Sequence, residues 1–155
     1  MRDVLALCED HPAWQATPVA NMRTGKLWGS RPALADVLAY LAGDDVAPPP
    51  PDWDCGHFVS VAGTVRGPVR AMALVRDSYS EFGWDMHYLQ AFDALASALE
   101  RGDGREGGLL LFTDARHEGE VEEAARVRGF DVAMWDNGTP WRAPAEQVSE
   151  GGAGP

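Results

Sequence analysis

The stretch HFVSVAGTVRGPVRAMALVRD, residues 57–77, decides the fold of this chain. Apolar side chains alternate with others over 57–65 and again over 69–77, and the Arg-Gly-Pro between these runs has the composition of a turn. We therefore predict a β-hairpin. In antiparallel strands joined by a short turn, the start of the first strand lies beside the end of the second. His57 and Asp77 are thus expected to be neighbours on one face of a sheet.

Elements of both types are predicted around the hairpin from apolar spacing and helix-capping signals. Helices are expected over 3–11, 30–43 (with Ser30 as N-cap), 86–102 and 119–129, and strands over 17–25, 107–114 and 130–138. A hairpin followed by β-α-β elements predicts an α+β fold with a central antiparallel or mixed sheet flanked by helices. We predict one domain over residues 1–139. The tail over 140–155 has no periodicity and is expected to be disordered.

The composition excludes some classes of partner. The chain has 24 acidic residues against 13 lysines and arginines, and no basic stripe. Binding to nucleic acid or to an anionic membrane rests on clustered cations, so neither is an expected partner. No signal peptide or membrane-spanning run is visible, which predicts a cytoplasmic protein, and the excess of arginine over lysine is typical of a GC-rich bacterial genome. In that compartment the two cysteines are expected to be free thiols.

The predicted pairing of strand ends has a chemical meaning. An aspartate beside a histidine can accept the Nδ1 proton, which fixes the ring tautomer and leaves Nε2 as a general base or as the partner of a thiolate. His57 and Asp77 would then supply two thirds of a Cys-His-Asp arrangement. The run APPPPDWD, 47–54, enforces an extended path that delivers Cys55 and His57 to this place in a fixed direction.

Three segments, GHFVSVAG (56–63), ALVRDSY (73–79) and MHYLQAFDALASAL (86–99), together resemble the C-terminal half of papain-like peptidases of the C39 type. In that family a Gly-His-x-Val strand carries the catalytic histidine, and a strand ending in Asp-Pro carries the orienting aspartate. The resemblance covers about residues 55–100 and implies that His57 is the base and Asp77 the orienting acid. It further implies chemistry on an amide, peptide or thioester carbonyl. This chain departs from the pattern at Ser78, which replaces the proline.

A second resemblance is to an uncharacterised bacterial family. It rests on the segments RTGKLWGSRP (23–32) and PPPPDWDCGHFV (48–59), and on VRDSY and WDNGTP further along the chain. In such a family the nucleophile would come from an upstream region.

The source of the nucleophile is open. In C39-type peptidases the nucleophilic cysteine is the first residue of a helix upstream of the histidine, and a glutamine lies a few residues before it. Neither feature is found here. Cys8 lies late in its helix and is followed by Glu9 and Asp10, which raise a thiol pKa, so we interpret it as structural. Cys55 is the candidate within the chain, although Asp52 and Asp54 beside it oppose a thiolate.

Several functions therefore remain as hypotheses. The first is a papain-like cysteine hydrolase or acyltransferase with His57 as base and Asp77 as orienting acid. Its nucleophile is Cys55 or, because the usual nucleophile helix is missing, a cysteine on a separate segment or on a partner protein. The second is a non-catalytic binding or partner subunit that keeps the fold. The third is a small metal-binding protein with Cys55, His57, Asp77 and His87 as ligands.

The predicted substrate is a peptide or a small acyl compound. Trp53 and Trp84 flank the predicted site on its two sides, and with Tyr79 they are the candidate substrate-binding residues. Under the favoured hypothesis we expect no cofactor and no metal.

Overall fold

The predicted hairpin is present in the computed structural model, which describes residues 1–101 and 107–132. Its strands are β2, Gly56–Arg66, and β3, Ala71–Arg76. The other strands are β1 (Thr17–Arg23), β4 (His87–Ala91) and β5 (Gly108–Phe112). The helices are α1 (Arg2–Asp10), α2 (Leu34–Ala42), α3 (Phe92–Leu99) and α4 (Glu118–Val127). Short 3-10 turns lie at Pro12–Trp14, Thr24–Lys26 and Ala115–His117.

The five strands form one sheet in the order β4-β3-β2-β1-β5, and every pair of neighbours is antiparallel. In the hairpin, Val61 lies opposite Val75, and a bulge follows between Val61 and Gly63. The same register aligns Ser60 with Arg76, so the start of β2 extends past the end of β3. The prediction of an α+β fold with an antiparallel sheet is confirmed.

Helices cover both faces of the sheet. Phe92, Leu95 and Ala98 of α3 pack with Leu5 of α1 on the face that carries Val75, and all four are buried. The spacing of three residues places these α3 side chains on one helical stripe. The opposite face is covered by α2, whose buried residues pack against Met72 and Ala91. Strand β3 therefore carries buried apolar side chains on both faces, because helices cover both faces of the sheet.

The predicted helix over 86–102 is wrong in its first part. Residues His87–Ala91 form β4, and the helix begins only at Phe92. Pairing with β3 supplies the backbone hydrogen bonds of this segment, and Tyr88 and Gln90 alternate onto its buried face. Non-local pairing thus overrides a local pattern that is compatible with a helix.

Other predicted boundaries also change. Helix α2 begins at Leu34 with Ala33 as N-cap, and the predicted cap Ser30 lies outside the helix, where its backbone N–H donates to Asp52. Residues 130–132 are not in a strand, and the rest of the strand predicted over 130–138 lies outside the described residues, as does the predicted tail. Within the described ranges, no helix has both the length and the apolar character needed to cross a membrane.

Candidate functional site

His57 and Asp77 meet where β2 begins and β3 ends. The imidazole Nε2 lies 2.9 Å from Asp77 Oδ1, and the two side chains are 11% and 0% exposed. The N–H of Asp77 donates to the carbonyl of Met86 at 2.8 Å, which ties the aspartate to the base of the loop before β4. The predicted contact is present, but the predicted nitrogen is wrong. Asp77 engages Nε2, so Nδ1 is the nitrogen that this pair leaves for chemistry.

Asp77 accepts hydrogen bonds on both of its oxygens. Oδ1 also receives the backbone N–H groups of Ser78, at 2.7 Å, and Tyr79, at 3.1 Å. Oδ2 receives the hydroxyl of Tyr88 at 2.9 Å. Burying a carboxylate costs free energy unless its lone pairs find donors, and four donors face this one. The network therefore fixes the position of Asp77 without help from solvent.

Tyr88 contributes to this network from β4. Burial raises the pKa of its phenol well above the ordinary value, and the nearby charge of Asp77, the hydrogen bond to it and the charge of Asp52 act in the same direction. Tyr88 consequently stays protonated and serves as a donor to Asp77. The sequence pattern does not predict this role of Tyr88, because the spacing of its segment is compatible with a helix.

Aromatic side chains form a wall beside His57. The ring of Trp53 meets the imidazole edge-on at 4.8 Å between centroids, and Tyr79 lies 5.5 Å from it. Phe82 completes the group, 4.7 Å from Trp53. Tyr79 is 47% exposed and gives the wall a face toward solvent. Of the candidate substrate-binding residues, Trp53 and Tyr79 are therefore at His57, whereas no ring contact in the described chain joins Trp84 to this group.

The segment over 23–32 holds the chain that leads to His57. Arg23 forms a two-point ion pair with Asp54, through contacts of 2.6 and 3.0 Å. The hydroxyl of Thr24 accepts the N–H of Cys55 at 2.9 Å, and Asp52 accepts the N–H of Ser30 at 2.6 Å. These contacts attach the proline-rich segment to β1 and to the segment that follows it, which fixes the approach to β2.

The same segment also holds the loop that carries the aromatic wall. Arg31 donates to the carbonyls of Gly83, at 2.9 Å, and Glu81, at 3.1 Å. The buried amide of Gln90 on β4 bonds the N–H and the carbonyl of Trp28, at 2.9 and 2.8 Å. RTGKLWGSRP is therefore a structural brace around the site, a role that its spacing alone did not indicate.

The two thiols are in different environments. Burial raises the pKa of Cys8, and the charge of Glu9 adds to the rise, in the direction expected from the sequence. Cys55 is half-buried one residue before β2, and its Sγ lies 4.0 Å from the Thr24 hydroxyl. None of the hydrogen bonds described for residues 1–101 and 107–132 joins Cys55 to His57. Its role as nucleophile stays a prediction.

The residues considered as metal ligands do not gather. In the part of the chain that the structure describes, no three histidine, cysteine, aspartate or glutamate side chains are placed to share a metal ion. His87 instead directs Nδ1 to the carbonyl of Asp85, at 2.7 Å. Cys55, His57, Asp77 and His87 are thus not a metal cluster in this structure.

Comparison with known proteins gives a family and no function. No curated protein and no solved structure matches the chain. The family of unknown function DUF6885 matches residues 1–136, and the chain belongs to that family.

Proposed function

We propose that this protein is related to papain-like cysteine peptidases and acts on an amide, peptide or thioester carbonyl, with His57 as general base and Asp77 as its orienting acid. One observation carries the proposal: the contact of 2.9 Å between His57 Nε2 and Asp77 Oδ1, with the aspartate side chain fully buried. A histidine whose second nitrogen is fixed by a carboxylate has a defined tautomer and a basic partner for the imidazolium that forms.

The direction of proton transfer follows from that contact. Because Nε2–H donates to Asp77, the lone pair on Nδ1 is the base, and it would accept a proton from the attacking group. The ring is held on one side by Trp53 and on another by Tyr79. A ring so confined keeps one orientation, which is the requirement for an efficient general base.

Cys55 is the proposed nucleophile within this chain. It precedes His57 by two residues, and the guanidinium of Arg23 is paired with Asp54, one of the two carboxylates that oppose a thiolate. The Arg23 hydrogen bond lowers the pKa of Asp54, so the carboxylate stays ionised while the cation beside it offsets its charge. The thiol would leave Thr24 and turn toward Nδ1 when it acts. A proton would pass from Sγ to Nδ1 as sulfur attacks the carbonyl carbon, and His57 would return it to the leaving group.

A second function, a partner subunit without its own nucleophile, is favoured by a different observation. The Sγ of Cys55 lies 4.0 Å from the hydroxyl of Thr24, and no described hydrogen bond joins Cys55 to His57. In that case a thiol from another protein would face His57, or the site would bind an acyl group without reacting.

Thiol labelling separates these functions. In a Cys8→Ser background, the iodoacetamide rate of Cys55 is measured from about pH 5 to about pH 9, with His57→Asn as the test variant and His117→Asn as the control. If Cys55 is the nucleophile, it reacts well below the ordinary thiol range of about pH 8.5, and only His57→Asn restores ordinary behaviour. Ordinary labelling in all three proteins would rule out Cys55.

Turnover is the complementary measurement. Wild type, Cys55→Ser and His57→Asn are compared on chromogenic amide, peptide and thioester substrates. Loss in both variants supports the complete enzyme. Loss in His57→Asn with activity kept in Cys55→Ser assigns the base but rejects the thiol, and inactivity of wild type together with ordinary labelling supports the partner subunit.

A further inference from the structure

A second concave surface lies at the other end of β2. Three arginines line a cavity of about 350 Å³ there: Arg2 from α1, Arg66 from the end of β2, and Arg70 from the turn before β3. We call it the arginine groove. His57 and Arg66 are nine residues apart on one strand, so the groove lies roughly 30 Å along the strand from the site described above. It is thus separate from the proposed active site.

The three guanidinium groups are held by different contacts. Arg70 lies over the Tyr40 ring, 5.0 Å from its centroid, and donates to the carbonyl of Asp44 at 2.9 Å. Arg2 lies over the Phe92 ring at 5.1 Å. A cation over a ring face is attracted to the ring without using its N–H donors. Two of the three cations are therefore held near the groove with most of their donors available.

Carboxylates at the groove do not balance its charge. Arg66 forms an ion pair with Glu9 at 2.8 Å, and Asp3 also lines the cavity. Three cations thus face two acids, in a chain whose formal net charge is −11. Each guanidinium has five N–H donors, and in the described chain Arg66 and Arg70 each show one side-chain hydrogen bond. The groove therefore combines excess positive charge with spare donors.

The position of Arg2 adds to this argument. It is the first residue of α1, where the helix dipole disfavours a cation. Helix stability consequently does not account for an arginine at this place. Glu9 and Asp3 offset two of the three positive charges at the groove, and the remaining positive charge favours the binding of an anion.

We propose that the arginine groove binds the phosphate group of a small phosphorylated molecule. Guanidinium groups match phosphate oxygens with paired, charge-assisted hydrogen bonds. The hydroxyl-bearing Thr64 also lines the cavity, and the exposed side chain of Val69 gives it an apolar side for the rest of the ligand. A volume of about 350 Å³ is within the range of small-molecule sites, about 300 to 1,000 Å³.

The test is calorimetric titration of the full chain with inorganic phosphate and with pyrophosphate, in chloride buffers of matched ionic strength. Malonate, a dicarboxylate, is titrated in parallel. We expect saturable binding of a phosphate probe, weakened about tenfold or more in Arg2→Gln and in Arg70→Gln, which corresponds to about 1.4 kcal/mol or more. Arg70→Lys keeps the positive charge but loses the paired N–H donors of the planar guanidinium, so it should also weaken phosphate binding.

Two controls make the result specific. Arg126→Gln removes one arginine that pairs with Glu122 on α4, and it should bind phosphate as wild type does. His57→Asn should also bind normally, because the groove does not depend on the proposed catalytic function. The proposal would be overturned by heats of phosphate titration that do not saturate, or by an equal loss of affinity in Arg126→Gln. Equal heats on titration with chloride alone would also overturn it, because the groove would then hold an adventitious ion only. Saturable binding of malonate without phosphate would overturn the assignment of ligand class.

Discussion

The hydroxyl of Tyr88 donates to Asp77 Oδ2 at 2.9 Å, in the interior of the protein. The other oxygen of the same carboxylate faces His57, so the tyrosine holds the acid from the side away from the base. Tyr88 lies opposite Val75 in the pairing of β4 with β3. The orientation of the candidate base therefore depends on three consecutive strands and not on the hairpin alone.

Tyr88→Phe should destabilise the protein. The substitution keeps the ring but removes the only side-chain donor described for Asp77 Oδ2, and a buried acceptor left unsatisfied costs about 1–3 kcal/mol. Urea unfolding of the two proteins measures the difference. Tyr79→Phe is the matched control, because Tyr79 is 47% exposed and none of the described hydrogen bonds uses its hydroxyl, and it should change the free energy of unfolding by less than about 0.5 kcal/mol. Equal effects of the two substitutions would show that the Tyr88–Asp77 hydrogen bond contributes no stability.

Tyr88 also gives the protein a sensitivity to alkaline pH. Its pKa is raised in the folded state above the ordinary value of 10.0. The folded chain therefore keeps a proton that the unfolded chain releases. This contribution to stability is fully present below pH 10.0 and is lost as the pH rises from there toward the folded-state pKa.

The free energy of unfolding should thus fall above that pH with a slope of up to about 1.4 kcal/mol per pH unit from this residue. Tyr88→Phe lacks the titrating group, so the difference between wild type and variant should shrink as the pH rises. Urea unfolding of both proteins at a series of alkaline pH values provides the measurement. Parallel pH profiles would contradict the raised pKa.

The thiol of Cys8 should react slowly with iodoacetamide. Burial, and then the charge of Glu9, raise its pKa above that of an ordinary thiol, so less thiolate is present at a given pH. Iodoacetamide labelling followed by peptide mass spectrometry should show Cys8 reacting at higher pH than the same peptide in the urea-unfolded chain. Glu9→Gln removes the smaller cause and should recover part of the rate. A native rate equal to the unfolded rate would show that Cys8 is not protected.

How far the site could be predicted depends on the range of each interaction. Alternation over 57–65 and 69–77 was enough to bring His57 beside Asp77, because a short turn leaves antiparallel strands few alternatives. The choice of Nε2 over Nδ1 was not predictable, since it depends on the side-chain torsions of both residues. The torsions of Asp77 are in turn set by its hydrogen-bond partners, which include the backbone N–H groups of Ser78 and Tyr79 in the loop after β3.

Strand β4, by contrast, was not predictable from local spacing. MHYLQAFDALASAL contains helical spacing throughout, and only the partner strand β3 makes its first residues extended. Tyr88 and Gln90 alternate onto the buried face of β4, where they form hydrogen bonds of 2.9 and 2.8 Å to Asp77 and Trp28. These partners lie on other segments of the chain, and so the local periodicity of residues 86–99 does not reveal them.

The loop that carries the aromatic wall turns at Gly83, and this position should not tolerate a side chain. Its φ is +61°, in the left-handed region, and an added Cβ would overlap the carbonyl oxygen of His87. Gly83→Ala should therefore destabilise the fold by more than about 1 kcal/mol, and it should displace the loop from Arg31, which binds the Gly83 carbonyl.

Gly119→Ala is the matched control. A Cβ there meets no atom, and alanine in a helix is favoured over glycine by about 0.5–1 kcal/mol, so this variant should be as stable as wild type or more stable. Urea unfolding gives the two free energies, and limited proteolysis within residues 78–86 reports loop release. A stable Gly83→Ala protein with an intact loop would show that the backbone turn at Gly83 does not constrain the candidate site.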